Sequence, residues 1–213
     1  VNFFLLAFPA LFSIVNPLGG AFIFMGATRR VSRAMRDRLA LWVAIHSFII
    51  LNVSLYVGAY VLSFFGISMP VLRVAGGIII AVSGFRMLNE GEDADTRDSA
   101  VNLASERDAS RLAFYPLTMP FTTGPGTISV AVALGTNRPR GAEFLWFTVA
   151  ATVTTAAMAL LIYLAYRYSD RISRALGPTG TTIIVRLSAF ILFCIGIQVI
   201  WTGVEELVST LLK

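Results

Sequence analysis

Pro120-Phe121-Thr122-Thr123-Gly124-Pro125-Gly126-Thr127 lies inside an apolar segment running from about Leu112 to Gly135. Proline and glycine are the poorest helix formers, so in water this would be an ordinary loop. In hydrocarbon it is expensive, because every unpaired backbone N–H or C=O lacks a water to bond. Broken backbone at membrane depth persists only where protein covers it or where it lines a cavity. Whether the surrounding chain is a membrane protein therefore decides what this stretch means.

The composition answers that question. The 213 residues are 56% hydrophobic and 14% charged, with a mean hydropathy of +0.76. A soluble domain carries about 25% charged residues. Six apolar segments can be drawn, about 2–26, 39–65, 70–88, 112–135, 143–166 and 182–204, each near the roughly 20 residues that span a bilayer. The expected fold class is an all-α membrane protein with six transmembrane helices, the first and fourth broken. Cys194 falls within an apolar run, where a small buried hydrophobe is expected.

The loops give a direction. The first, 27–38, holds Arg29, Arg30, Arg33, Arg36 and Arg38; the third, 89–111, is acidic but carries Arg97, Arg107 and Arg111; the fifth carries Arg167, Arg171 and Arg174. With Arg86 these make twelve basic residues, against three (Arg138, Arg140 and Lys213) on the other side. Lys and Arg mark cytoplasmic loops, so loops one, three and five are expected inside and both termini outside. The +5 charge is spent on topology and does not point to nucleic acid. Trp42, Trp146 and Trp201 fall near segment ends, as interfacial aromatics do.

The first three segments can be laid on the last three. Asn16-Pro17-Leu18-Gly19 meets Gly124-Pro125-Gly126-Thr127, Leu41-Trp42 meets Leu145-Trp146, and Arg73-Val74 meets Arg186-Leu187. The expected organisation is a first three-helix repeat over 1–88, a cytoplasmic acidic loop over 89–111 and a second three-helix repeat over 112–213. Three spans per repeat is an odd number, so the halves enter the membrane from opposite sides. An inverted 3+3 repeat of this kind is a common transporter build, with the binding site at the midplane.

Each break has its own chemistry. Asn is a preferred N-cap and proline is favoured at the first helical position, so a helix should stop near Val15 and restart at Pro17. Pro17 and Pro125 lack N–H groups and deprive the Ser13 and Phe121 carbonyls of their usual partners. Gly19 permits close approach, and Thr122, Thr123 and Gly124 are the candidate caps of the second restart. In the expected topology both restarted half-helices point their N-termini at the centre. A helix N-terminus carries about half a positive charge and several N–H donors, which suits a carboxylate. Freed carbonyls and threonine hydroxyls suit an ammonium group or Na⁺. One small site would then hold both ends of a zwitterion.

Other polar residues in apolar runs have two readings each. Arg73 and Arg186 either snorkel and anchor their helices or line an access path that attracts a carboxylate. His46 is either a hydrogen-bonded interior histidine or a proton-coupling group. No Asp or Glu falls well inside a span, which leaves coupling to Na⁺ on oxygen ligands, to H⁺ through His46, or to neither. No resident cofactor, metal-ligand cluster, phosphate-cradling loop or nucleophile–base pair is evident, which argues against an enzyme. Gly76, Gly77, Ser83 and Gly84 suit close helix packing.

Asn16-Pro17-Leu18-Gly19 and the run from Pro116 to Ser129, Pro-Leu-Thr-Met-Pro-Phe-Thr-Thr-Gly-Pro-Gly-Thr-Ile-Ser, together resemble the MarC family of bacterial and archaeal membrane proteins. The resemblance covers essentially the whole chain. It implies a multi-pass protein of the cell (inner) membrane and, from the family's small neutral amino acid transporter branch, a secondary transporter of glycine or alanine. It also implies substrate contacts at Asn16, Pro17 and Gly19 and at Thr122, Thr123, Gly124, Pro125 and Gly126, with Thr127 closing the motif. Phe22 stands where many relatives have a second proline. The alternatives are a channel-like pore for small polar solutes, since paired half-helices also line such pores, and a non-transporting scaffold. The partners expected are a small-molecule substrate and the lipid bilayer; the sequence sets no oligomeric state.

Overall fold

The computed structural model describes residues 2–28, 31–89, 111–136, 139 and 143–211. Arg29, Arg30, Arg138, Arg140, Lys213 and nearly all of the acidic loop at 89–111 lie outside the described residues. Among the described residues every regular element is helical. Helix α1 (Asn2–Val15) and helix α2 (Pro17–Ala27) are separated by Asn16 alone. Helix α3 (Arg33–Phe64) begins six residues earlier than the expected 39, because Ser32 caps it by accepting from the Met35 N–H at 3.3 Å. Arg33, Arg36 and Arg38 therefore ride on its first turns rather than in a loop. At 32 residues the helix is about 48 Å long, well beyond the roughly 30 Å of hydrocarbon. It ends on a tight turn at Gly66, whose φ is 67°, and helix α4 (Met69–Asn89) follows.

The fourth segment departs most from a plain helix. Its first half, α5 (Ala113–Thr122), is a wide-turn π-type segment. Tyr115 (φ −127°, ψ 121°) and Met119 (φ −107°, ψ 123°) are extended within it. Both precede prolines, Pro116 and Pro120, whose rings push the preceding residue out of the helical region; both X–Pro bonds are cis. The second half, α6 (Pro125–Thr136), is a regular helix of 12 residues. Helix α7 (Glu143–Arg167) is continuous, and α8 (Ser169–Leu211) bends at Gly177, where φ is 68°.

Five stretches are long and apolar enough to cross a membrane: Phe3–Ala27, Arg33–Phe64, Met69–Asn89, Glu143–Arg167 and Thr179–Thr210. Each overlaps one of the expected segments. The fourth expected segment is not among them, because α5 is broken by its prolines and α6 is too short alone. The outer surface is apolar: Leu5, Leu6, Phe64, Leu145 and Trp146 are all at least 64% exposed, as suits a protein solvated by lipid tails. Cys194 is exposed as well, on α8, which corrects its reading as a buried hydrophobe: a lipid-facing position admits the same small apolar side chain.

The interior is small and hydroxyl-rich. Leu11, Leu39, Val43, Leu51, Met158 and Ile162 form the main core, with Thr118, Thr122, Thr123, Thr154 and Thr155 buried beside them. A polar seam joins α3 to α7, where Asn52 donates to Thr155 Oγ1 at 2.9 Å and Tyr56 donates to the Thr148 carbonyl at 3.0 Å. Helices α4 and α8 run antiparallel and meet on glycines. A Cβ on Gly77 would lie 2.7 Å from the Ile200 nitrogen, and one on Gly84 would lie 2.9 Å from the Ala189 oxygen. Gly196 likewise abuts Ala81, and Gly203 abuts Pro70 and Val74. Only glycine allows backbones this close.

Candidate functional site

At the first break one residue does three jobs. The Asn16 N–H donates back to the Phe12 carbonyl at 2.9 Å and closes α1; its carbonyl accepts from Gly20 at 2.9 Å and opens α2. Its side-chain Oδ1 accepts from the Gly19 N–H at 3.2 Å. This requires a left-handed backbone, φ 46° and ψ 61°, which Asn tolerates better than most residues. Gly19 leaves the cap its room, because a Cβ there would lie 2.6 Å from the Asn16 amide nitrogen. Pro17 is buried at the first helical position. The expected stop at Val15 and restart at Pro17 are both present.

At the second break the helix restarts at Pro125, and the Ile128 N–H closes the first turn on the Gly124 carbonyl at 3.0 Å. A Cβ on Gly124 would lie 2.6 Å from the Pro120 carbonyl oxygen, so this position is reserved for glycine. The threonines, however, are committed elsewhere. Thr122 Oγ1 donates to the Leu117 carbonyl at 2.7 Å and pairs with the Tyr166 hydroxyl at 2.7 Å. Its one proton goes to the carbonyl, so Tyr166 is the donor of the pair. Thr123 Oγ1 donates to Ser47 Oγ at 2.8 Å. Thr127 is buried in the first turn of α6.

Two side chains bring the breaks together. The Tyr166 hydroxyl touches Thr122 and also faces Gly20, where a Cβ would lie 2.6 Å from it. On the other flank, Ile80 of α4 fills the space above Gly126 and belongs to a small cluster with Ile14 and Leu192. Asn16 thus lies between Ile14, packed in the Ile80 cluster, and Gly20, packed on Tyr166.

The helix starts supply the donors. In α2 the Gly19 and Gly20 amides are bonded to Asn16 and Pro17 has none, so Leu18 offers the N–H at the tip. In α6 the corresponding groups belong to Gly126 and Thr127. Neither break carries an Asp or Glu, and no group of His, Cys, Asp and Glu among the described residues is arranged to hold a metal.

The remaining expected residues sit apart. Arg73 pairs with Glu206 near the end of α8. Arg186 is exposed on α8. His46 is half-buried and stacks edge-on against Phe114 at 5.5 Å, with Trp42 at 5.7 Å; its Nδ1 has no partner among the described residues. Phe22 is buried in α2. Sequence reasoning missed Tyr166, Ser47, Ile80 and the part of Leu18, whereas Gly20, with Gly19, is legible as a point of close approach. Tyr166, next to Arg167 at a segment end, carried the same signal as any interfacial aromatic.

Apolar helices enough for several crossings and two interrupted ones meeting in the interior define a multi-pass integral membrane protein. The chain belongs to the MarC family: the family described as "MarC family integral membrane protein" matches residues 1–208. It is 37% identical over 206 residues to the UPF0056 inner membrane protein MarC of Salmonella paratyphi A, covering 94% of this chain and 93% of that one. The proteins of the same name from Citrobacter koseri and Escherichia coli O1:K1 are each 35% identical over 205 residues, at the same coverage. No solved structure matches the chain.

Proposed function

We propose that this protein is a secondary transporter of small neutral amino acids, glycine or alanine, that catalyses no covalent chemistry and binds its cargo between the two breaks. The observation that carries the reading is the meeting of two interrupted helices, each restarting at a proline, around Tyr166 and Ile80. The tip N–H groups of Leu18, Gly126 and Thr127 receive the carboxylate. Backbone carbonyls beside the breaks receive the ammonium, and Thr122 and Thr123 hydroxyls join them only by exchanging their present partners. This agrees with the chemistry that the family resemblance implies.

The proposed architecture is six spans in an inverted 3+3 repeat, with the fourth span made of α5 and α6 and both termini outside the cytoplasm. Support comes from contacts that exchange when the halves are swapped. Gly77 on Ile200 is mirrored by Gly196 on Ala81, Gly84 on Phe193 by Gly203 on Val74, and Gly84 on Ala189 by Gly203 on Pro70. This register places Gly77 on Gly196 in the third helices, replacing the match of Arg73 to Arg186. Coupling is to Na⁺ on backbone oxygens, to H⁺ through His46, or to neither.

Counterflow tests the proposal. Purified protein in liposomes loaded with unlabelled glycine should take up labelled glycine saturably, with alanine competing and lysine or leucine not. Fast, non-saturating flux would make it a pore, and the absence of glycine or alanine exchange would overturn the cargo assignment.

A further inference from the structure

The last turn of α2 is tied to the α7–α8 junction by two rungs, each four residues from the next. Phe24 stacks on Tyr166, with ring centroids 4.7 Å apart. One turn on, the Thr28 carbonyl accepts from Arg36 Nη2 at 3.0 Å, and Arg36 Nη1 pairs with Asp170 Oδ2. Thr28 is itself fixed, its hydroxyl donating to the Phe24 carbonyl at 2.7 Å. The Arg36 side chain is 12% exposed and that of Asp170 42%, and Arg36 Nε has no partner among the described residues. The clamp runs without interruption into the site, because the Tyr166 ring in the first rung carries the hydroxyl that reaches Thr122 and Gly20.

The far end of α6 is packed differently. There Gly135 and Val132 pack directly on Leu55 and Gly58 of α3, a contact of apolar atoms and backbone. The α2 end of the site is thus covered by an aromatic side chain beside a charged pair.

Resting on the transport reading above, we propose that Tyr166 is the gate of the site on the α2 C-terminal side, and that Arg36 and Asp170 are positioning residues that hold it shut. Opening separates Phe24 from Tyr166, moves the Tyr166 hydroxyl off Thr122 and breaks the Arg36–Asp170 pair. A partly buried, charge-assisted pair makes a suitable latch, because it is strong while closed and both charges gain water when it parts.

Thiol labelling reads the gate without any cargo. Ile162 is fully buried one turn deeper than Tyr166 on the same face of α7. The reporter is I162C in a C194S background, challenged with a membrane-impermeant maleimide in detergent micelles. A minor open state of about 0.1–10% leaves room for a large rise, so D170N should label about tenfold faster than the parent. Y166F, which keeps the stack on Phe24 and loses the Thr122 bond, should also label faster. D170E should restore the parent rate. D37N, which breaks the neighbouring Asp37–Arg167 contact at 3.9 Å but no rung of the clamp, should leave the rate unchanged. Parent-like labelling of D170N or Y166F, no rescue by D170E, or equal acceleration by D37N would overturn the proposal. Since no amino acid enters the assay, failed glycine counterflow would overturn the cargo assignment and leave the gate standing.

Discussion

The two breaks end and restart a helix at a proline, yet they are built on opposite plans. At the first, one residue, Asn16, closes α1, opens α2 and caps Gly19. At the second, a ten-residue wide-turn segment with two extended pre-proline positions leads into α6, and its threonines are held by Leu117, Tyr166 and Ser47. The first break is self-contained and the second leans on its neighbours. Local chemistry suffices where a single left-handed residue can satisfy the backbone; a longer detour needs tertiary partners for every group it frees.

Substitutions at the two breaks should therefore fail differently. Asn16→Ala removes the cap and leaves an alanine at φ 46°, for a combined cost of about 2–3 kcal/mol. Glycine counterflow should vanish and the thermal midpoint should fall. Asn16→Gly, which keeps the conformation, should recover part of the midpoint; equal losses in both variants would show that the left-handed backbone is unimportant.

Gly124→Ala comes next. Its Cβ meets a backbone oxygen, Pro120 O at 2.6 Å, which cannot swing aside, and overpacking of this kind costs about 1–3 kcal/mol. Gly19→Ala meets only the Asn16 side chain, which can turn away with loss of its cap, about 1 kcal/mol. Thermal unfolding of the pair should rank Gly124→Ala below Gly19→Ala, and the reverse order would mean that the second break is the more pliable. Ser47→Ala removes one neutral acceptor, that of the buried Thr123 hydroxyl, and should cost no more than Gly19→Ala, about 1 kcal/mol. A drop as large as that of Gly124→Ala would mean that the Thr123–Ser47 bond holds the second break as firmly as the glycine does.

Much of this contrast was legible in the chain. Asn16-Pro17 combines a cap with a helix-starting proline, and both act within four residues, so α1 and α2 end where the sequence says they should. The five long helices were visible because the bilayer sets their length and polarity. The wide turns of α5 were not, since Pro116 and Pro120 announce kinks without saying how the backbone absorbs them. Tyr166 was invisible for another reason. Its role depends on Gly20, Thr122 and Phe24, residues brought to it only by tertiary packing. The early start of α3 follows from the Ser32 cap, a polar signal that an apolarity-based boundary overlooks.

The central claim is that two breaks make one site, and a double-mutant cycle on glycine transport tests it most directly. Gly19→Ala perturbs the first break and Thr122→Val the second; half-saturating glycine concentrations are measured for both single variants and for the double. A shared site predicts strong non-additivity, with the double variant departing from the product of the singles by about fivefold or more, as coupled neighbours do. Effects that simply multiply, to within a factor of about two, would mean that the breaks act separately and would contradict it.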